Sequence, residues 1–378
     1  MPRGRVALLL DSPAKGNRRH HLQLQALKEA GFEPRVIFLS GDPSGCYLEL
    51  KGHANFFRSL KFSRDRVFRS FSTKAFYRLM RMIQEEDIRV ILTQRIRLLR
   101  YLIPLKIYRP RLRIIFYLVI GNVFRSPGRR LFFRLAQPFV DLILVNSRHL
   151  KEEVLSLGFV SPEKVDILYS GLEVSEFDLS VSKKEARRRF GFPEREFLFG
   201  MVARFRKEKD HAGLLRAFRL FLDQGGKASL ILAGDGPLEA EIRELAHNLH
   251  LVERVRFLGR VPMKEVPYLL RTLDVFVYPT FREGMPMAVM EAMAAGLPII
   301  ATEAEGLPDL FDTPLEFGRL LPPGDPERLA QAMFEVFSLT EEDKAKLGAA
   351  ARQRLEEAFS AEVLKQRTVE IVRNLLSA

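Results

Sequence analysis

The sequence predicts an α/β protein of two similar-sized, doubly wound halves, and three observations carry that reading. Its 378 residues exceed the roughly 100–200 typical of one domain. Short apolar runs alternate with helix-length segments along the chain, as in a parallel sheet with helices on both faces. A single cysteine, Cys46, excludes an intramolecular disulfide framework and a Cys-rich zinc site, so packing alone must hold the fold.

The first apolar run, residues 6–10, reads as a buried parallel strand that ends at Asp11-Ser12-Pro13. Leu22, Leu24, Ala26, Leu27 and Ala30 then suit one face of a helix over 18–30, which Gly31 stops. Strands follow at 34–39, 90–92, 114–120 and 142–145. The charged stretch 182–194 is a linker with a short helix in it. Beyond it, strands are expected at 197–202, 228–233, 255–258, 275–278 and 299–301, with helices near 211–223, 238–249, 263–271 and 286–295. A terminal helix spans 359–378. The domains are therefore read as 1–180 and 181–358, with helix 359–378 joining the first. Ligands of doubly wound sheets sit beyond the carboxyl ends of the strands, so the site is expected in a cleft between the halves.

Charge separates the two halves. Residues 1–180 carry 31 basic and 17 acidic side chains, against 29 and 30 in the remainder, so the whole excess of +13 is N-terminal. Between Ile88 and Val140 there are 12 basic residues and no acidic one. Such a field attracts phosphates on nucleic acid, lipid headgroups or a nucleotide-activated substrate. The apolar run at 6–10 is too short for a signal-peptide core, and no stretch approaches the about 18 residues of a membrane span. The single cysteine fits a reducing compartment, and the expected location is cytoplasmic, either free or peripheral on the inner face of the cytoplasmic membrane.

Chemistry concentrates in Glu283-Gly284-Met285-Pro286 and the apolar stretch that runs on to Pro298. Pro286 suits a first helical turn, where a missing N–H costs nothing. A helix start after a strand and a glycine turn is an anion site, here offering the amides of Met285, Met287 and Ala288. Glu283 and Glu291 approach the same place as acceptors for sugar or ribose hydroxyls. Taken alone, such a pair is ordinarily solvated surface beside a packed helix.

The spacing from Glu283 to Glu291 resembles the E-x7-E region of the retaining, nucleotide-sugar-dependent glycosyltransferases of family four, which have the GT-B fold. Other stretches agree in order: Ala203-Arg204-Phe205 with Lys209, Leu232-Ala233-Gly234-Asp235-Gly236-Pro237, Val255 to Gly259, Asp274 to Pro279, and Gly306-Leu307-Pro308-Asp309. Val145-Asn146-Ser147 and Tyr169-Ser170-Gly171 match more weakly. The resemblance implies that Arg204 and Lys209 bind the donor diphosphate, Glu291 the ribose, Glu283 the donor sugar, and the turn Gly284, Met285, Pro286 and Met287 the phosphates. Gly234 and Gly236 either touch ligand or simply end a strand. Leu258 either faces the base or is an ordinary strand end.

The N-terminal half departs from the family pattern. Where the family has a Gly-Gly turn after the first strand, this chain has Ser12 to Asn17, with Gly16 as the one candidate. Where many members have a histidine after the fourth strand, it reads Ile120-Gly121-Asn122. Either Asn122 or a main-chain carbonyl positions the sugar, or the arrangement differs. His20 and His21 read as surface or capping residues, and no general base is assigned.

No Asp-x-Asp sequence occurs, so the implied reaction is metal-independent, with no cofactor beyond a nucleoside-diphosphate-sugar donor. The acid-poor stretch from Phe56 to Arg134 interleaves Arg and Lys with Phe, Tyr and Leu. It reads either as an interfacial surface for anionic membrane, suited to a glycan or lipid-linked acceptor such as a lipopolysaccharide core, or as a basic surface over buried aromatics. A nucleic-acid-binding protein, an epimerase and a sugar phosphorylase on the same plan are the alternatives. The first leaves the second half unexplained, so no nucleic-acid partner is expected.

Overall fold

The computed structural model describes residues 4–11, 18–41, 57–62 and 71–377. The chain forms two compact units, Met1–Gly171 with Ala361–Ala378, and Leu172–Ser360. Residues 172–180, which the sequence reading gives to the first half, group with the second. Leu172 donates its N–H to the Phe359 carbonyl at 3.0 Å, and Arg352 pairs with Asp178 at 2.6 Å.

Unit 1 is a parallel sheet of β1 (Arg5–Leu10), β2 (Glu33–Ser40), β3 (Phe57–Phe62), β4 (Ile88–Thr93), β5 (Arg113–Leu118), β6 (Leu142–Val145) and β7 (Val165–Ile167), ordered β3-β2-β1-β4-β5-β6-β7. Its helices are α1 (Arg18–Glu29), α2 (Thr73–Glu85), α3 (Leu99–Tyr108), α4 (Pro127–Ala136) and α5 (Arg148–Leu155), completed by the terminal helix Ala361–Ser377. Because successive side chains of a strand point to opposite faces, β1 feeds two cores. Ala7 and Leu9 join Ile91, Tyr101, Phe116 and Phe133 on one face. Leu8 and Leu10 join Leu24, Leu27, Tyr117, Leu364 and Ile371 on the other. Burial on both faces is why these strands read as unbroken apolar runs.

Unit 2 repeats the plan with β8 (Leu198–Val202), β9 (Ser229–Ala233), β10 (Val255–Gly259), β11 (Val275–Tyr278), β12 (Ile299–Thr302) and β13 (Gly318–Leu321), ordered β10-β9-β8-β11-β12-β13. Its helices are α6 (Lys183–Arg189), α7 (His211–Asp223), α8 (Glu239–Asn248), α9 (Val266–Leu270), α10 (Met287–Ala294), α11 (Leu307–Phe311), α12 (Pro326–Ser338) and α13 (Glu341–Ala358). A capping box sets the start of α6: Ser182 accepts from the Glu185 N–H, and Glu185 accepts from the Ser182 N–H.

Both sheets reverse their winding at one point, between β1 and β4 in unit 1 and between β8 and β11 in unit 2. Loops diverge there and leave a crevice at the carboxyl ends of the strands.

The sequence reading misses β3, β7 and β13, all at sheet edges. An edge strand needs no continuous apolar run, and β13 carries Arg319 with all four of its residues half-buried. Helices α12 and α13 are also absent from it. Strand β5 stops at Leu118, short of the expected residue 120, and Ile120 is exposed.

Candidate functional site

At the unit 2 reversal, the segment after β8 is zipped by its backbone to the end of β11. Asp210 donates its N–H to the Pro279 carbonyl at 3.1 Å, and Phe281 donates to Glu208 O at 2.9 Å. The Thr280 hydroxyl donates to Glu208 O at 2.7 Å, while the Thr280 N–H donates to Thr302 Oγ1 at 2.8 Å. This anchoring fixes Lys209 opposite Thr280 and delivers its ammonium into an ion pair with Glu283. Tyr278, the last residue of β11, donates its hydroxyl to Glu283 Oε2 at 3.0 Å and presents its ring 4.9 Å from Lys209 Nζ.

Electrostatics follow from this crowding. Burial pushes the Lys209 ammonium down to about 8, against the opposing pull of Glu208 and Glu305. Burial first, and the Glu291 carboxylate second, raise the Tyr278 phenol, which therefore stays a neutral donor. The same coupling puts Glu291, on the second turn of α10, within electrostatic reach of Tyr278. His211 stacks on Phe205 with ring centroids 4.3 Å apart, and its Nδ1 lies 3.0 Å from the Lys209 carbonyl. Burial lowers its imidazole to about 4, so it is a neutral prop under the lysine.

Glycines let the loops approach. A Cβ on Gly234, at φ +148°, would lie 1.9 Å from the Ala203 carbonyl oxygen, and one on Gly236, at φ +157°, 2.4 Å from that of Phe205. Phe205 donates its N–H to Asp235 O at 2.9 Å across this contact. Between the two sequence alternatives, the strand-ending turn thus has a full packing explanation. Gly306 serves the anion turn: its N–H donates to Glu283 O at 3.1 Å, and a Cβ there would sit 1.7 Å from Gly284 O.

Lys209 and Glu283 meet directly, and Glu291 is their neighbour through Tyr278. Arg204 is exposed and lies 3.7 Å from Asp235 across the glycine turn. Met285 is buried, and Gly284 and Met287 are half-buried at the mouth of α10. Pro286 is the N-cap of α10 and not its first helical residue as the sequence reading expects; its carbonyl accepts from the N–H groups of Val289 and Met290, so its extended φ and ψ precede the helix. Leu258 is half-buried on the edge strand β10, beside Phe257, whose ring is capped 4.3 Å away by Arg243. Gly16 lies outside the described residues.

Two members of the site escape the sequence reading. Tyr278 and Gly306 each lie in a stretch that matches the family pattern, but neither is singled out there as a site residue.

In unit 1, His20 is not a surface or capping residue: it is fully buried, and burial lowers it to about 3. Val6, Leu8 and Leu10 of β1 and Leu22, Leu24 and Leu27 of α1 feed the same core, and the packing of this helix on the sheet carries His20 inside. Asn122 adopts φ +61° and donates its N–H to Glu153 Oε1 at 2.9 Å. The basic stretch divides. Tyr101, Phe116, Tyr117 and Phe133 are buried core, and Asp141 accepts from both Lys106 at 2.9 Å and Arg113 at 3.1 Å. Leu131 and Leu135 on α4 stay exposed. No helix among the described residues is long and apolar enough to cross a membrane.

The family model described as glycosyl transferases group 1 matches residues 182–354, and that of glycosyltransferase family 4 matches residues 18–176. The chain belongs to the group 1, family 4 glycosyltransferases. This glycosyltransferase chain is 30% identical over 241 residues to the amylovoran biosynthesis glycosyltransferase AmsK of Erwinia amylovora, covering 62% of its own length and 56% of the relative. It is 37% identical over 145 residues to the putative glycosyltransferase EpsF of Bacillus subtilis, covering 38% and 37% of the two chains. It thus spans about half the length of such relatives, or less. Among solved structures it resembles HepE of Anabaena in complex with UDP and glucose, with a TM-score of 0.77 at 18% identity over 98% of this chain and 100% of that one. A glycosyltransferase of Rickettsia africae gives 0.82 at 16% identity over 100% and 99%. At these identities the likeness speaks for the fold, which is the two-unit α/β plan of the GT-B class.

Proposed function

We propose that the protein transfers a sugar from a nucleoside diphosphate-sugar to a lipid-linked or otherwise anionic glycan acceptor, with retention of anomeric configuration and without a metal ion. The observation that carries this reading is the Lys209–Glu283–Tyr278 constellation at the unit 2 reversal. A half-buried ammonium is costly unless an anion compensates it. In the free protein Glu283 is that anion. The donor diphosphate takes its place, supported by the amides that follow Gly284 and by Arg204, and Glu283 is released to accept hydroxyls of the donor sugar. Glu291 accepts the ribose hydroxyls. Tyr278 holds Glu283 in position through either state.

In the transfer itself, the bond between the anomeric carbon and the diphosphate oxygen breaks, and the acceptor oxygen bonds to the same face. The acceptor proton passes to the departing diphosphate oxygen, so no side chain need act as base. What the protein contributes is positioning and fixed positive charge against the leaving group. Lys209 and Arg204 supply that charge, which is why the proposal needs no metal. Glycosyltransferases with similar sequences are named for polysaccharide biosynthesis, and this supports an envelope glycan acceptor. The exposed leucines and arginines of α4 support peripheral contact with the inner face of the cytoplasmic membrane.

Thermal unfolding with nucleotide sugars tests the reading. A donor at about 100 times its dissociation constant adds about 2.7 kcal/mol of stability. A uridine, guanosine or adenosine diphosphate-sugar is expected to raise Tm, and Lys209→Ala and Glu291→Ala to abolish the rise. Equal shifts in those variants would contradict the site. Activity that survives a chelator and a product with the donor's anomeric configuration complete the test.

A further inference from the structure

Unit 1 holds a cavity of about 560 Å³ at the carboxyl ends of β4 and β5, within the range of small-molecule sites. Four arginines line it, Arg95, Arg97, Arg100 and Arg129, and no acidic residue among the described residues does. Local structure explains their convergence. After β4 the chain makes a short turn of 3-10 helix, Ile96–Leu98, and enters α3. Leu98, Leu99 and Leu102 are buried in the core, which leaves Arg97 and Arg100 on the other side of the segment. Arg100 is steadied by donating its Nε–H to the Arg97 carbonyl at 2.9 Å. From the opposite wall comes the first turn of α4, whose N-cap Ser126 makes no side-chain cap hydrogen bond. Gly128 lies in that turn, and a Cβ on it would meet nothing within 4 Å.

The positive end of a ten-residue helix and four guanidinium groups therefore face one cavity. Asp11 lies 3.8 Å from Arg95. Guanidinium groups fork onto phosphate oxygens in pairs, and several such forks suit a phosphate or diphosphate. The remaining wall is mostly apolar, with Ile96, Val123 and Phe132 beside Gln94. Beyond Phe132 on the same helix, Leu131 and Leu135 are 61% and 66% exposed, beside exposed Arg130 and Arg134. A ligand that is polyanionic at one end and hydrocarbon at the other matches this arrangement.

We infer that this cavity holds the phosphate or diphosphate of a lipid-borne acceptor. The inference rests on the proposed glycosyl transfer for the word acceptor, but the binding site stands on the cavity alone. It makes the chain a reader of the phosphate link between glycan and lipid and not of the glycan only.

Calorimetric titration of the full chain with farnesyl phosphate, a soluble prenyl phosphate, tests it without any donor. Binding is expected, and farnesol, which lacks the phosphate, is expected not to bind. Arg97→Ala and Arg129→Ala are each expected to weaken farnesyl phosphate by about tenfold. Arg81→Ala, on the surface of α2 and paired with Glu85, is expected to leave the affinity unchanged. Equal affinity in Arg97→Ala, Arg129→Ala and the unaltered chain overturns the site. Glucose 6-phosphate binding as tightly as farnesyl phosphate overturns the lipid assignment in favour of a water-soluble phosphorylated glycan. Thermal stabilisation by nucleotide sugars in the same variants shows that they are folded. A chain that binds farnesyl phosphate through these arginines but no nucleotide sugar would refute the transferase reading and leave the phosphate site intact.

Discussion

The two sheet reversals share a topology and differ in how they are built. At β8/β11 the loops are locked by backbone against backbone: Gly234 and Gly236 against Ala203 and Phe205, Gly306 against Gly284, and Lys209 against Thr280. At β1/β4 the buried groups are side chains, among them Asp11, His20, Gln23 and Thr93, and the neighbouring cavity is walled by arginines. Backbone locking suits a ligand part that never varies, such as a diphosphate. Side-chain lining can be altered one residue at a time without disturbing the sheet, which suits an acceptor that differs between relatives.

The largest expected effect lies in unit 2. Under the proposed transfer, Lys209→Ala removes fixed charge at the leaving group, and kcat/KM should fall by on the order of a hundred- to a thousandfold. Any single arginine of the unit 1 cavity should cost far less and act through acceptor KM. If Lys209→Ala were the milder change in a transfer assay, the contrast between the two units would fail.

Stability gives the next contrast. Gly306→Ala puts a methyl group on the Gly284 carbonyl and should cost about 2–3 kcal/mol in urea unfolding. Gly128→Ala fills open space in a helix and should gain about 0.5–1 kcal/mol. Similar values for both would show that the unit 2 loops can yield.

A pH series sharpens the comparison further. Lys209 is charged below about 8, so affinity for a nucleoside diphosphate should hold level up to that point and then weaken by about tenfold per pH unit, with proton uptake on binding. Folding stability should move the opposite way over the same window, because the folded chain gives up this proton at a lower pH than the unfolded chain does. Farnesyl phosphate binding, resting on arginines alone, should be flat across the range.

The smallest effect is expected inside unit 1. Gln23 is fully buried, and its side-chain amide has no hydrogen-bond partner among the described residues. Gln23→Met keeps the volume and removes the buried polar group, and should raise stability by about 1 kcal/mol in the same unfolding assay.

How much of this was legible follows from what each feature depends on. The central strands were readable because burial on two faces forces unbroken apolar runs; β3, β7 and β13 were not, because an edge strand tolerates residues such as Arg319. The resemblance singled out Glu283 and Lys209, yet nothing in a spacing of 74 residues says that they meet. That contact depends on Thr280 and Glu208 pairing across two loops. Tyr278 sits at the end of an apolar strand inside a stretch that matches the family, but the match attaches no role to it, because that role arises from where its hydroxyl points. The charge of residues 88–140 was plain, but which arginines share a cavity is decided by a single 3-10 turn that composition does not encode. His20 misled for a related reason: polar residues are usually outside, and only the packing of α1 against the sheet and the terminal helix takes this one in.

The return of the chain to unit 1 has a consequence for synthesis. Leu364, Ile371 and Val372 of the terminal helix cover the face formed by Leu8, Leu24 and Leu27, yet almost two hundred residues separate them from the last strand of that sheet. As the polypeptide leaves the ribosome, unit 2 has all its parts first. Unit 1, begun earlier, waits with one apolar flank open until the final helix emerges, and that interval is when the nascent chain is most exposed to aggregation and most in need of a chaperone.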